Sequence, residues 1–180
     1  YGTLRKDINY FEKNDSIKIF KNVSCERINE WREILMQIKP DIVVNCIGIV
    51  KQLKESNDPQ LSIFTNSLFP HQLHNVCKEI KSKLIHISTD CVFSGRKGQY
   101  SENDNPDPSD MYGISKLLGE INEPNSLTIR TSIIGHSINS NHGLIDWFLK
   151  QNIKIKGFRK AIFSGLTTLE LSKVILKYVL

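Results

Sequence analysis

The stretch DIVVNCIGI (residues 41–49) decides the fold. It is a continuous apolar, β-branched run rather than an alternating one. That pattern suits a strand buried on both faces of a parallel sheet. Working outward, KLIHIS (83–88) is a second such run, SLTIRTSI (126–133) a third and IKIF (17–20) a short fourth. Between them, ERINEWREILMQIKP (26–40) sets Ile28, Trp31, Ile34 or Leu35, and Ile38 on one stripe, and Pro40 stops it; this is the period of an amphipathic helix. Residues 59–80 read as a helix kinked near Pro70, because proline removes a backbone donor. A further helix starts near Ser109 or Asp110, either of which can cap it, and runs to about Asn122. Later come a short helix at LIDWFLKQ (144–151), a strand at IKIKG (153–157) and a last helix opened by a Thr167–Glu170 capping box. Strands alternating with helices predict βαβ units: an α/β fold with a parallel sheet covered on both faces.

Composition narrows the classes. The chain has 180 residues, 39% hydrophobic and 24% charged, which is ordinary for one globular domain. No apolar run is long enough to span a bilayer, and no charged-then-apolar leader opens the chain. The expectation is a cytoplasmic protein with no membrane partner. The net charge of +5 is spread along the chain. The densest basic stretch, KIKGFRK (154–160), is short and lacks interleaved stacking aromatics. It reads as a solvated strand and turn or as a contact to an anionic substrate, and no nucleic-acid partner is expected. The 4 cysteines (Cys25, Cys46, Cys77, Cys91) form no CxxC pair, so free thiols are expected. His71 and His74 lie three apart without an acidic or cysteine partner, and no metal site is expected.

The chemistry lies at the end of the 83–88 strand and one βα step beyond it. The strand ends in Ser88, Thr89 and Asp90, and YGISK (112–116) opens the next helix. Alone, a Tyr-x-x-x-Lys pair is a common accident in a lysine-rich chain. Its position is not, because ligands of open α/β sheets bind at the carboxyl ends of the strands. Reducing a carbonyl by hydride requires a proton donor at the developing oxyanion. A phenol is a sluggish donor at neutral pH unless an ammonium one turn away favours the phenolate. A hydroxyl at the strand end can donate a second hydrogen bond to the carbonyl oxygen. Thr89, Tyr112 and Lys116 therefore make a candidate carbonyl-reduction site.

At this point the sequence resembles the extended short-chain dehydrogenases/reductases, in the branch of dTDP-4-dehydrorhamnose reductases and related nucleotide-sugar reductases. VVNCIG (43–48) is similar to the family's strand ending in Asn-Ala-Ala, and STDCVFSGRKGQYSENDNPDPSDMYGISKLLGE (88–120) is similar to its STDYVFDG…Y.E.D…P…YG.SK..GE segment. LTIRTSIIG (127–135) resembles the following IVRTSWVYG strand, and FSGLTTLELSKVI (163–175) the substrate-side helix. The resemblance implies a Rossmann-type doubly wound parallel sheet and an NADP or NAD cofactor. It implies reduction of a 4-keto nucleotide sugar for surface polysaccharide synthesis, with a homodimer as the expected self-association. By the same resemblance Tyr112 is the proton donor, Lys116 holds the nicotinamide ribose, and Thr89 and Asp90 contact the sugar. Cys46, Ile47 and Gly48 line the cofactor pocket, with Asn66 beside it and Asn22 and Val23 near the adenine. Ile133 stands where the rhamnose branch has a substrate-packing tryptophan. Cys91 cannot serve as the glutamate of the related dehydratases, whose pattern is TDEVYG. Arg5, followed by Lys6, reads either as a contact to a 2′-phosphate, which favours NADP, or as a solvated loop end. A non-catalytic binding or regulatory homologue, or an epimerase or dehydratase, is the alternative.

In that family a first strand and a GxxGxxG turn cradle the pyrophosphate. YGTLRK (1–6) instead resembles the end of the second strand. The expectation is a fragment: residues 1–133 form the dinucleotide-binding domain without its first βα unit, and 134–180 begin a small substrate-binding part.

Overall fold

A computed structural model describes residues 1–4, 16–136 and 143–179. The expected contact of Arg5, and Lys6 after it, lies outside the described residues. The strand pair β1 (Gly2–Leu4) and β2 (Ile19–Lys21) is parallel. Helix α1 (Ile28–Ile38) leads to β3 (Ile42–Asn45). Helix α2 (Pro59–Ile63), a π-turn (Phe64–Leu68) and α3 (Phe69–Glu79) then lead to β4 (Lys83–Ile87). Helix α4 (Met111–Leu118) precedes β5 (Ser126–Ile129). Strands β3, β4 and β5 are parallel and adjacent in that order, with Val44 opposite Ile85 and Ile85 opposite Leu127. The three apolar runs thus form the expected parallel sheet.

The core lies between the strands and helices α1 and α3. Trp31 and Leu35 of α1 meet Phe69, Leu73, Val76 and Cys77 of α3 over Leu84 of β4. The Trp31 and Phe69 rings meet edge to face at 5.5 Å, an arrangement aromatic pairs favour. The indole Nε1 donates to the Ser24 carbonyl at 2.9 Å, so burial leaves it no unmatched donor. Val23, just beyond β2, is buried in the same cluster, and Phe20 of β2 packs against it. The β1–β2 pair therefore shares the core although it forms no ladder with β3. Among the described residues β3 pairs only with β4, and Val44 is 42% exposed.

Several boundaries differ from expectation. The 41–49 run is a strand only to Asn45; residues 46–49 leave the ladder as a loop over the site. The break in the 59–80 helix falls at the π-turn before Pro70. Pro70 has no N–H for the Asn66 carbonyl four residues back, and the Phe69 N–H bonds Phe64 O, five residues back. Helix α4 stops at Leu118 rather than near Asn122. The 126–133 run divides after β5, and β6 (Ile133–Ile134) pairs with β7 (Leu166–Thr167) in a separate sheet. Residues 153–157 form no strand; Ile153 is 77% exposed, and without a pairing edge an extended segment gains no ladder hydrogen bonds. Helix α5 (Leu144–Leu149) forms as expected, and α6 (Thr168–Tyr178) is capped by Thr167 Oγ1, which accepts from Glu170 N at 3.1 Å. Among the described residues no helix is long and apolar enough to cross a membrane.

Candidate functional site

The site is assembled at the carboxyl ends of β3 and β4 against the first turns of α4. Two buried asparagines shape the loop after β3. Asn45 Oδ1 accepts from Ile47 N at 3.0 Å, while its Nδ2 bonds His86 Nδ1 on β4 at 3.1 Å. Asn66 Oδ1 accepts from Ile49 N at 2.8 Å, and its Nδ2 donates to Ile49 O and to Ser115 Oγ. Residues 46–48 are thus held at both ends over α4. Gly48 sits so close that an added Cβ would meet Asn66 Oδ1 at 3.2 Å and Lys116 Nζ at 3.7 Å.

Lys116 is 4% exposed, and its Nζ donates to the Ile87 carbonyl at 2.7 Å. Burial lowers its pKa to about 8, partly opposed by the Glu120 carboxylate one turn on. Glu120 is itself fixed: Arg130 binds it through Nε and Nη2, and Ser88 Oγ donates to it at 2.8 Å. The Arg130 guanidinium lies 5.2 Å from the Phe93 ring, which stacks on Tyr100 at 4.5 Å. The buried lysine is therefore tied, through Glu120, to the loop that follows Asp90.

Tyr112 is half-buried, and desolvation pushes its phenol above the ordinary value, with the Thr89 hydroxyl pulling the other way. Thr89 Oγ1 also accepts from Cys91 N at 3.1 Å and lies 3.3 Å from Asp90 Oδ1. Its single proton can serve either Tyr112 or Asp90, but not both. Asp90 Oδ1 accepts from Ser132 Oγ at 2.6 Å, which turns this carboxylate toward the strand beyond β5. The expectation that Lys116 sets the acidity of Tyr112 meets a different balance here. Desolvation dominates the phenol, and the lysine is turned to Ile87.

The structure brings Gly48, Asn66 and Lys116 together, and Thr89, Asp90 and Tyr112 beside them. The amide of Asn66 is spent on Ile49 and Ser115, so it acts by holding the loop. The Cys46 side chain is exposed above that loop, and Ile47 packs against the core. Asn22 and Val23 directly follow β2; Asn22 is exposed at φ 60°, and the Val23 side chain is turned into the core. Ile133 is exposed on β6. His71 Nε2 bonds the Leu118 carbonyl while His74 is buried, so the two do not converge, and no cluster among the described residues is placed to hold a metal ion. Sequence reasoning missed Lys51, His86, Ser115, Glu120, Arg130 and Ser132. The one available signal was Glu120, four residues after Lys116.

A nicotinamide dinucleotide fits one half of this site. The glycine at 48 leaves room for close approach, and the Lys116 ammonium has donors beyond the one given to Ile87. No GxxGxxG turn for the pyrophosphate occurs in the sequence.

Fold and site together define the class: an open parallel sheet of the Rossmann type with a polar cluster at the strand ends, where ligands of such folds bind. More narrowly, the chain belongs to the family described as the RmlD substrate binding domain, whose model matches residues 7–150. It is 33% identical over 126 residues to a dTDP-4-dehydrorhamnose reductase of Mycolicibacterium smegmatis, covering 67% of this chain and 38% of that protein. It is 36% identical over 101 residues to methionine adenosyltransferase 2 subunit beta of Danio rerio, covering 54% of this chain and 30% of that one. The crystal structure of a dTDP-4-dehydrorhamnose reductase from Clostridium acetobutylicum superposes with a TM-score of 0.77, over 99% of this chain and 70% of that one. At 22% identity, that likeness speaks to the fold alone. The chain's matches span 30–38% of the length of these curated relatives.

Proposed function

We propose that the protein containing this chain reduces a 4-keto nucleotide sugar with NADPH or NADH. The observation that carries the reading is the half-buried Tyr112 phenol, one helical turn from the buried Lys116 and beside Thr89 at the end of β4. The hydride would come from a bound nicotinamide. Tyr112 gives its proton to the carbonyl oxygen, so the ketone becomes an alcohol and the phenol a phenolate that bulk solvent reprotonates. Burial keeps Tyr112 protonated at neutral pH, which is the form reduction needs. Thr89 steadies the oxyanion as it develops. Lys116 binds the nicotinamide ribose, with Cys46, Ile47 and Gly48 beside the ring. Asp90 and Ile133 face the sugar, and residues 134–180 begin the substrate-binding part. Asn22 and Val23 lie toward the adenine, and an Arg5 contact to a 2′-phosphate would select NADP.

The setting is synthesis of surface polysaccharide in the cytoplasm; the dTDP-4-dehydrorhamnose reductase among the relatives supports its sugar-nucleotide part. A homodimer is supported by the exposed Ile63 and Leu68 beside Ile114 and Leu118 on contacting helices. A second reading, a non-catalytic subunit, draws on the match to a methionine adenosyltransferase subunit. The test is turnover of a 4-keto deoxynucleotide sugar by the full-length protein. Tyr112→Phe should retain cofactor binding while turnover falls at least ~10²-fold, the low end for general acid catalysis. Near-unchanged turnover would sink the mechanism, and no turnover in the parent would leave the subunit reading.

A further inference from the structure

We infer that Lys51 is a positioning residue of the Tyr112 site: the counter-ion that allows an aspartate to cap α4 two residues before the proton donor. This rests on the reading of Tyr112 as that donor. Helix α4 needs an acceptor at its N-terminus, and Asp110 Oδ1 provides it, accepting from Gly113 N at 2.8 Å. A carboxylate suits the helix dipole but not a neighbouring phenol that becomes an anion as it gives up its proton. The second oxygen resolves the conflict. Asp110 Oδ2 lies 2.6 Å from Lys51 Nζ, so one oxygen caps the helix and the other is neutralised.

Lys51 follows the loop that Asn66 pins at Ile49. The ion pair therefore also ties the 46–51 segment to the first turn of α4. As a stabilising contact it counts for little, because the Lys51 side chain is 58% exposed and such pairs contribute ~1 kcal/mol or less. Its charge also stands beside the turn that carries Tyr112. From the end of β4 the phenol faces Thr89, Asp90 and Cys91, and on its own helix Asp110; the acids and the thiol all oppose ionisation. From the β3 side Lys51, fixed on Asp110, places one cation against those acids, and the phenol is the weakest of the charges acting on it. Lys116 does not take this part, since its Nζ is turned to Ile87 O and the carboxylate acting on it is Glu120.

The test titrates Tyr112 directly in the full-length protein, by NMR of tyrosine carrying ¹³C at Cζ, with the signal assigned from Tyr112→Phe. Lys51→Met should raise the Tyr112 midpoint by about half a pH unit, a threefold weaker acid, the size expected for one charge in a water-exposed setting. Lys51→Arg should restore it. In an Asp110→Asn background, where the cap survives without its charge, the effect of Lys51→Met should shrink. Lys51→Gln serves in place of Lys51→Met if that variant does not fold. An identical titration in all these proteins overturns the inference, as does a shift that Lys51→Arg shares or that Asp110→Asn leaves at full size. The signal needs no turnover, so a failure of the reductase reading appears separately, as an inactive parent.

Discussion

Lys116 shows how a single buried charge trades stability for function. Its ammonium lies under Gly48 with a pKa lowered to about 8 from 10.5, desolvation being the main cause. Below pH 8 both folded and unfolded chains hold this proton, and the full burden of the buried charge is present. Between pH 8 and 10.5 the unfolded chain holds more protons, so the contribution of this group to stability rises with pH across that window. Lys116→Met should therefore stabilise the protein by roughly 2 kcal/mol at pH 7, after allowing for the lost bond to Ile87 O. The gain should vanish as pH approaches 10.5. Urea unfolding at pH 7 and at pH 10 checks this; an equal gain at both would mean that packing, not charge, decides. The Tyr-x-x-x-Lys spacing in the sequence put both residues near one helical face. It could not report that the lysine would be buried, because burial depends on the loop from another strand.

At the scale of elements, the junction of the π-turn with α4 is the most demanding contact. Pro70 frees the Asn66 carbonyl, and Gly119 closes on it; a Cβ at 119 would lie 1.9 Å from that oxygen. Both partners are backbone, so neither can rotate away. Gly119→Ala should cost roughly 3 kcal/mol, the upper range for overpacking. Chemical denaturation against the parent measures this, and a loss below ~0.5 kcal/mol would show that α4 can slide. The sequence marked an irregular helix near Pro70. The break falls just before the proline, because the proline acts on the carbonyl four residues before it. Likewise the IKIKG run has β-propensity but no edge to pair with, and propensity alone does not make a strand.

For the whole molecule, the decisive feature is a sheet in two pieces. β1 and β2 share the core with α1 but form no ladder with β3, whose outer edge carries no strand among the described residues. An exposed apolar edge is a template for association. Val44 stands on it, 42% exposed. The 180 residues studied alone should therefore self-associate, and Val44→Lys should reduce this in sedimentation velocity runs. The same polypeptide should show no micromolar one-to-one isotherm with NADPH, because no glycine turn offers a nest for the pyrophosphate. A micromolar isotherm would mean that the 46–49 loop and Lys116 suffice for binding.

The sequence by itself determined the three parallel strands and the helix that carries Tyr112. Each follows from local signals: unbroken apolar runs and a capping residue at Ser109 or Asp110. It also determined which hydroxyl, phenol and ammonium meet at the strand ends, since a parallel sheet puts those ends on one side. Only the tertiary structure decided their electrostatics. Whether Lys116 is charged, whether Tyr112 keeps its proton and which cation answers Asp110 depend on burial and on contacts between residues some 50 to 60 positions apart, such as Lys51 with Asp110. Desolvation is a property of the packed interior, and no spacing along the chain encodes it.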